Sequence, residues 1–580
     1  MVTGSQQATA DILPPPPDGG PNGGAFRAVD HSGFHLYPRE MPGVAPGPNG
    51  DQTAGSVIEG VEATKAVTVV SALNVAQSRQ HVGRTLCKTT GINGVFKYNG
   101  FCWDSADENT SSWSDTGGWH PQGMTASHEA YDGGTVNGHH LYMQAWYYGK
   151  GGPNSHQGDL KARLSILEST GKDWSYGHVL LVRPVGSRDE PDFQAVTDVH
   201  ADGVVWYGNR LFVANGGELQ IYDLNHLWRM KSVADGVGVK NGVSSADHHQ
   251  WALPMVARYM TRTKAQEDKD SNKSPRACDG MIACLSSLSL DRSGTQPRLV
   301  SGEYRRNSDE LRYLNPPDPI DRRDARVITW PLQDIGGGGT SPVTATSAHV
   351  APVRQLQGVA TDGTYFYLSA ECRIGYMGDT RPGDDGSYSC IWRARPGGQT
   401  SPLTRTPPLT QDLNYDPNTR RLWGSNEKTD YRVVFSMLPR RIDSATYLSN
   451  DYSALCAGVG SKNTDSAKII QWGCNTSQDE LWVFGDTTDS NGKRAYELQN
   501  AYSGKCMGPA SKLTDGAGIV QFTCNGAVDE KWWYDPDTHE LRNVYSGKCL
   551  ALGAQATKGS QLIQWTCNGA KDEKWSRTAR

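Results

Sequence analysis

Between Ser453 and Trp575 one pattern is written three times: SALCAGVG…IIQWGCNTSQDELW, SGKCMGPA…IVQFTCNGAVDEKW and SGKCLALG…LIQWTCNGAKDEKW. Its cysteines, Cys456 with Cys474, Cys506 with Cys524 and Cys549 with Cys567, are 18 residues apart in every copy. The closing tryptophans Trp482, Trp532 and Trp575 keep the same step. Short apolar runs bounded by Gly and Asn, recurring after 50 and then 43 residues, describe a small β unit repeated about a pseudo-threefold axis. One such unit cannot bury its apolar face alone, whereas three can.

At these residues the chain resembles the ricin B-type β-trefoil lectins, a family also found as carbohydrate-binding modules on secreted bacterial enzymes. The resemblance implies a β-trefoil over residues 442–580. A sugar pocket of that family takes an Asp after the first Cys, a ring on the strand before the second Cys, and an Asn-Gln pair before the last Trp. Here the Asp position reads Gly458, Gly508 and Ala551, while the ring is kept as Trp472, Phe522 and Trp565. Before each closing Trp stand carboxylates: Asp479 with Glu480, Asp529 with Glu530, and Asp572 with Glu573. Carboxylates accept sugar hydroxyls and rings stack on a pyranose face, so these nine residues are the candidate sugar contacts. The alternative is that the acids cap turns and the rings only pack.

The even count of 12 cysteines predicts an oxidising, extracellular setting. Disulfides are expected within each trefoil copy, and by proximity between Cys87 and Cys102, Cys278 and Cys284, and Cys372 and Cys390. No Cys-x-x-Cys pair supports a structural zinc site. The opening MVTGSQQATADILPPPPDGG shows no charged, then apolar, signal peptide. A net charge of −5 without a basic run argues against nucleic acid, and no apolar stretch is long enough to span a membrane. The expected partner is a polysaccharide or cell-surface glycan.

Residues 1–55, with ILPPPPDGGPNGG and PGVAPGPNGD, read as a disordered leader with few apolar anchors, part of which could instead dock on the next domain. From residue 56 to 441 a weaker repeat is present. It starts at WHPQGMTAS (Trp119), TDVHADGVVWYGNRLFVAN (Thr197), SADHHQWALPMVARYM (Ser245), RQLQGVATDGTYFYLSAE (Arg354) and PLTQDLNYDPNTRRLWGSN (Pro408). Each has a Gln or His, then a small or acidic residue, then an apolar strand; the copy at Ser245 lacks the turn. Five such meanders predict an all-β chain: a β-propeller, five-bladed by this count with six or seven open, followed by the trefoil. The likeness to propellers of secreted bacterial proteins is one of fold alone.

First strands of propeller blades line the central channel, so the repeat starts should gather His120, Gln122, His200, Asp202, His248, His249, Gln250, Gln357, Gln411 and Asp412 at one hub. Such a ring can hydrogen-bond a sugar, hold a divalent metal, or be a solvated channel; no other cofactor is implied. Catalytic candidates are His200, Asp202, His248 and His249. A glycosidase needs two carboxylates, with Asp202, Glu218, Asp223, Glu303, Glu371, Asp412 and Glu427 available by type. A lyase needs a base beside a uronate-neutralising group, for which His200, Tyr207, His248 and Arg354 are of suitable type. No Walker loop, dinucleotide fingerprint, HExxH or GxSxG is present. The sequence thus predicts a secreted carbohydrate-binding protein, or alternatively a glycoside hydrolase or polysaccharide lyase anchored by its trefoil.

Overall fold

The computed structural model describes residues 25–45, 53–109, 118–149, 161–169, 173–269, 282–305, 325–371, 389–439 and 445–579, apart from gaps at 89, 91, 93–97, 337–339, 354, 399, 430, 463, 476, 504, 523 and 525. The chain divides into two compact units, one formed by most of residues 15–437 and the other chiefly by residues 438–580.

The larger unit is built from antiparallel meanders. The first runs Gly118–Ala126, Leu141–Gly149, Ala162–Ser169, Trp174–Gly186. The second runs Gly203–Tyr207, Arg210–Asn215, Glu218–Asp223, Trp251–Met260. The third begins at Ser287–Asp291, the fourth at Gly358–Thr361 and the fifth at Thr410–Asp416. These five first strands pack against one another in cyclic order, the fifth returning to the first. Among the described residues the last meander has three strands from its own stretch, and Tyr98–Cys102 from far upstream pairs with Val434–Met437 as the fourth. Closing the ring with distant chain removes an exposed sheet edge.

The small residue in the repeat signature has a steric cause. A Cβ on Gly123 would lie 2.6 Å from the backbone of Gly203 and Val204, one on Gly203 2.2 Å from Leu288 N, and one on Gly358 2.4 Å from Gln411 O. Inner strands touch backbone to backbone at these points, leaving no room for a side chain.

Two expectations are corrected. The stretch at Ser245 does not start a meander. Its strand Trp251–Met260 is the outer strand of the second sheet and also pairs in parallel with Val179–Val182 of the first. The meander it displaced begins at Ser287, where SSLSLD carries buried Ser286 and Ser287 in place of Gln or His and Gly. Nor is the leader wholly unstructured: Arg27–Val29 pairs with Ala348–Val350, and Tyr37–Arg39 with Arg258–Met260. Residues 1–24 and 46–52 lie outside the described residues.

In the smaller unit the three copies are stitched cyclically. Gln471 Nε2 donates to Gln555 O in the third copy, Gln521 Nε2 to Lys462 O in the first, and Gln564 Nε2 to Lys512 O in the second. Trp482, Trp532 and Trp575 are fully buried and donate Nε1 to Ala457, Met507 and Leu550 carbonyls at 2.8–2.9 Å. Disulfides join Cys456–Cys474, Cys506–Cys524 and Cys549–Cys567. In the larger unit Cys87–Cys102 is joined as well. Cys284 and Cys390 are also disulfide-bonded, while Cys278 and Cys372 lie outside the described residues.

Candidate functional site

Because the first strands converge, residues far apart in sequence meet at one end of the ring. Glu427, at the end of the strand Arg421–Asn426, is the centre of this group. Its Oε1 accepts from His120 Nδ1 (2.8 Å) and the Tyr147 hydroxyl (3.1 Å); its Oε2 accepts from Gln122 Nε2 (3.1 Å) and Gln411 Nε2 (2.9 Å). Burial alone would raise the pKa of this carboxyl, but the His120 hydrogen bond and nearby positive charge outweigh it and hold it down to about 2. Glu427 is therefore a fixed anion rather than a proton donor.

Tyr147 is stacked between imidazoles, with ring centroids 4.0 Å from His200 and 5.1 Å from His120. His200 Nδ1 lies 2.7 Å from Asp202 Oδ1, and both side chains remain partly open to solvent. Behind them His200 N donates to Asn215 Oδ1, and Asn215 is tied to Glu218, itself ion-paired with Arg258 at 2.8 Å. The carboxylate stands at ion-pair distance without a formed hydrogen bond to Nδ1, so the pair presents an imidazole and a carboxylate side by side.

Of the predicted hub, the structure thus brings His120, Gln122, His200, Asp202 and Gln411 to the mouth. Gln357 stands half-buried just before the fourth inner strand. Asp412 points into the ring, where Oδ2 accepts from Val204 N (3.1 Å) and burial pushes its pKa far up. Deeper still, burial raises Glu129 to about 8.

His248, His249 and Gln250 are not at the mouth, because they precede an outer strand. They line a separate cavity of about 790 Å³ together with His81, Asp107, Trp119 and Arg163. Glu303 is buried against Arg326 and Arg305, Asp223 caps a turn through Asn225 N, and Arg354 lies outside the described residues. Tyr147 and the central position of Glu427 were not legible in sequence, since their partners are up to 307 residues away.

In the trefoil the acids prove to be structural. Asp479, Asp529 and Asp572 accept from the backbone N–H of Ser461, Ser511 and Ala554, each at positive φ. Glu480 and Glu573 are buried and accept from Asn475 N and Asn568 N, and buried Glu530 accepts from Gly526 N. The buried glutamates cap turns, and the half-buried Asp479, Asp529 and Asp572 each commit an oxygen to the turn of their own copy. The family's missing Asp could not be restored simply: a Cβ on Gly508 would lie 2.7 Å from Asp529 O. The rings differ. Trp472 and Trp565 are 47% and 41% exposed and lie over Gly559 and Gly516 of a neighbouring copy, while Phe522 is half-buried. A second exposed ring recurs unforeseen in each copy, as Tyr452, Tyr502 and Tyr545; the recurring N-x-Y-S was the available signal.

The sequence model of the ricin-type beta-trefoil lectin domain matches residues 444–575. No curated protein matches the chain. Among solved structures, the designed threefold-symmetric protein ThreeFoil is similar at 23% identity over 23% of this chain and 98% of that one, with a TM-score of 0.22. The C-half of the earthworm R-type lectin, solved with GalNAc, is similar at 12% identity over 24% of this chain and 99% of that one, TM-score 0.20. An exo-beta-1,3-galactanase from Clostridium thermocellum, 1,3Gal43A, is similar at 13% identity over 81% of this chain and 99% of that one, TM-score 0.26. Among the described residues no helix is long and apolar enough to cross a membrane. The matched segment, with its three stitched copies and three registered disulfides, is a ricin-type β-trefoil lectin domain, and carbohydrate binding is the activity it indicates.

Proposed function

We propose that the protein is a secreted glycan-binding protein with two binding surfaces, the mouth of a five-bladed propeller and the exposed rings of the trefoil. The observation that carries the first is the clustering of Glu427, His120, Gln122, Gln411, Tyr147, His200 and Asp202 at one end of the ring. A ligand with many hydroxyls needs fixed donors and acceptors; the partly exposed His200 and Asp202 would meet it, with the buried His120, Gln122, Gln411 and Tyr147 fixing the group behind them. Trp472 and Trp565 supply stacking faces on the trefoil. The disulfides accord with an oxidising, extracellular setting. The test is binding of the full chain to a glycan array and to insoluble polysaccharides, comparing wild type with His200→Ala. Loss of binding to a soluble oligosaccharide with an unchanged melting temperature supports the mouth; full retention removes it.

A second reading, a carbohydrate-active enzyme, is favoured by one feature: His200 with Asp202 beside it and stacked on the Tyr147 ring, an imidazole, a carboxylate and a phenol in one group. Release of reducing ends or of unsaturated uronate from a polysaccharide panel decides for this reading; their absence on every polysaccharide that binds decides against it.

A further inference from the structure

The first sheet carries a second concentration of chemistry, away from the mouth. In the wall of the 790 Å³ cavity, ligating atoms of His81, Asp107 and His178 lie within 4.8 Å of one another. His178 Nε2 is 3.0 Å and His81 Nδ1 3.6 Å from the same carboxylate oxygen, Asp107 Oδ2, and the imidazole centroids are 4.4 Å apart. The one other such group among the described residues, Glu540, Cys549 and Glu573, spends its sulfur in a disulfide.

The groups around the three residues are those that would aim them at an ion. Asp104 Oδ2 sits 2.6 Å from His81 Nδ1, and Ser165 Oγ sits 2.9 Å from His178 Nδ1. His178 is thus anchored at Nδ1 by a hydroxyl, which turns its Nε2 to Asp107, while His81 turns Nδ1 toward the carboxylates of both Asp104 and Asp107. Outer partners of this kind set the tautomer and orientation of metal-bound histidine. Arg163 Nη2 holds the far oxygen, Asp107 Oδ1, while Oδ2 accepts from the Tyr176 hydroxyl at 2.8 Å and faces both imidazoles. Ser165 is fixed in turn by Trp146 Nε1 at 2.7 Å.

An ion pair between Arg163 and Asp107 needs none of this. It does not call for two imidazoles converging on the opposite oxygen, with His178 tethered from behind by Ser165. Asp104 and Asp107 place two carboxylates at the site, opposite the guanidinium groups of Arg163 and of Arg432, whose Nη1 donates to Asp107 O at 2.8 Å.

We propose that His81, His178 and Asp107 form a binding site for a divalent first-row transition metal, Zn²⁺ in preference to Ca²⁺, with its remaining coordination positions facing the cavity. Two imidazoles and one carboxylate form a ligand set suited to Zn²⁺ with an open position, whereas Ca²⁺ takes six to eight oxygens. The open positions face a cavity also lined by Trp119 and Tyr148, where water or a ligand oxygen completes the sphere.

The full chain, treated with EDTA and exchanged into metal-free buffer, is titrated with Zn²⁺ and with Ca²⁺ by calorimetry and followed by thermal melting. One equivalent of Zn²⁺ should bind and raise the melting temperature, with Ca²⁺ giving neither effect at equal concentration. His81→Ala, at a half-exposed position, and His178→Ala should each weaken Zn²⁺ binding at least tenfold. His248→Ala, in the same cavity but outside the three ligands, should leave it unchanged. Absence of saturable Zn²⁺ binding, wild-type affinity in folded His81→Ala, or equal loss in His248→Ala overturns the assignment. If His178→Ala fails to fold, the His81→Ala comparison alone decides.

Discussion

Tyr147 lies face to face with His200, 4.0 Å between ring centroids and 22° between planes, while its hydroxyl donates to Glu427 at 3.1 Å. The tyrosine therefore couples the imidazole to the buried carboxylate without joining them directly. Tyr147→Phe removes the hydroxyl and keeps the stack. A hydrogen bond to a charged acceptor contributes about 1.5–3 kcal/mol, so if the hydroxyl's hold on Glu427 fixes the group that binds, oligosaccharide affinity at the mouth should fall about tenfold or more. Calorimetric titration alongside His200→Ala gives the measurement, and equal affinity in wild type and Tyr147→Phe would show the hydroxyl to be incidental.

Glu129 and Glu427 should act on stability with opposite pH dependence. Burial raises the folded pKa of Glu129 from 4.5 to about 8, so its contribution is fully present below the unfolded value and declines as pH rises toward 8. Glu129 Oε2 pairs with Thr125 Oγ at 2.5 Å, and Leu290 N donates to Oε1, an arrangement an amide can reproduce. Glu129→Gln should therefore be nearly neutral at pH 4 and stabilising at pH 8, on the order of 3–4 kcal/mol. Asp412, His128 and Arg292 surround the site and set the residual slope. Glu427, held down to about 2, contributes stability above pH 4.5 that is lost as pH falls through 2, so Glu427→Gln should cost most near neutrality. Denaturant melts across pH check both signs.

Gly203→Ala tests the backbone contact between inner strands. The added methyl would sit 2.2 Å from Leu288 N, an atom that cannot yield without moving the third sheet. Overpacking of this kind costs about 3 kcal/mol or more. The outcome expected is a sharp drop in melting temperature or no folded protein, while Gly133→Ala, where the methyl meets nothing within 4 Å, is tolerated far better; a Gly203→Ala protein as stable as wild type would refute the contact.

In the trefoil, binding and stability should separate by residue. Trp472→Ala and Trp565→Ala remove exposed rings and should weaken glycan retention with little change in melting. Glu530→Ala, which strips a buried cap, should cost about 1–3 kcal/mol and spare the exposed rings. Retention on insoluble polysaccharide and thermal melting of the same samples give the two readouts. If the triple variant Trp472→Ala, Phe522→Ala, Trp565→Ala retains full binding through the trefoil, the stacking faces are elsewhere, with Tyr452, Tyr502 and Tyr545 the next rings to change.

Opening one trefoil disulfide measures the chain-entropy contribution of a loop of 18 residues. Cys506→Ala with Cys524→Ala should destabilise by about 2–4 kcal/mol. A melting temperature within error of wild type would show that packing alone holds that copy.

The trefoil was legible because every copy repeats the same contacts: Cys, Gln and Trp recur where their partners recur. The ring was harder to read, since its period shows only in a polar residue followed by a small one, and the small residue marks a close approach of backbones. Where Ser286 and Ser287 take those places the signal vanishes, and the more conspicuous imidazoles of His248 and His249 drew the count to an outer strand. Glu427 offered no local signal at all. Its four partners come from residues 120, 122, 147 and 411, brought together only by closure of the ring.

The cyclic donation by Gln471, Gln521 and Gln564 divides the trefoil surface into two kinds of position. A mutation at any of these glutamines damages a copy other than its own, so its penalty falls on a neighbour that has not changed. The rings only rest against glycines of a neighbouring copy, and Phe522 already stands where the other two copies carry Trp. A binding face can thus be lost, altered or reinvented one copy at a time, while the framework must change in all three at once or not at all.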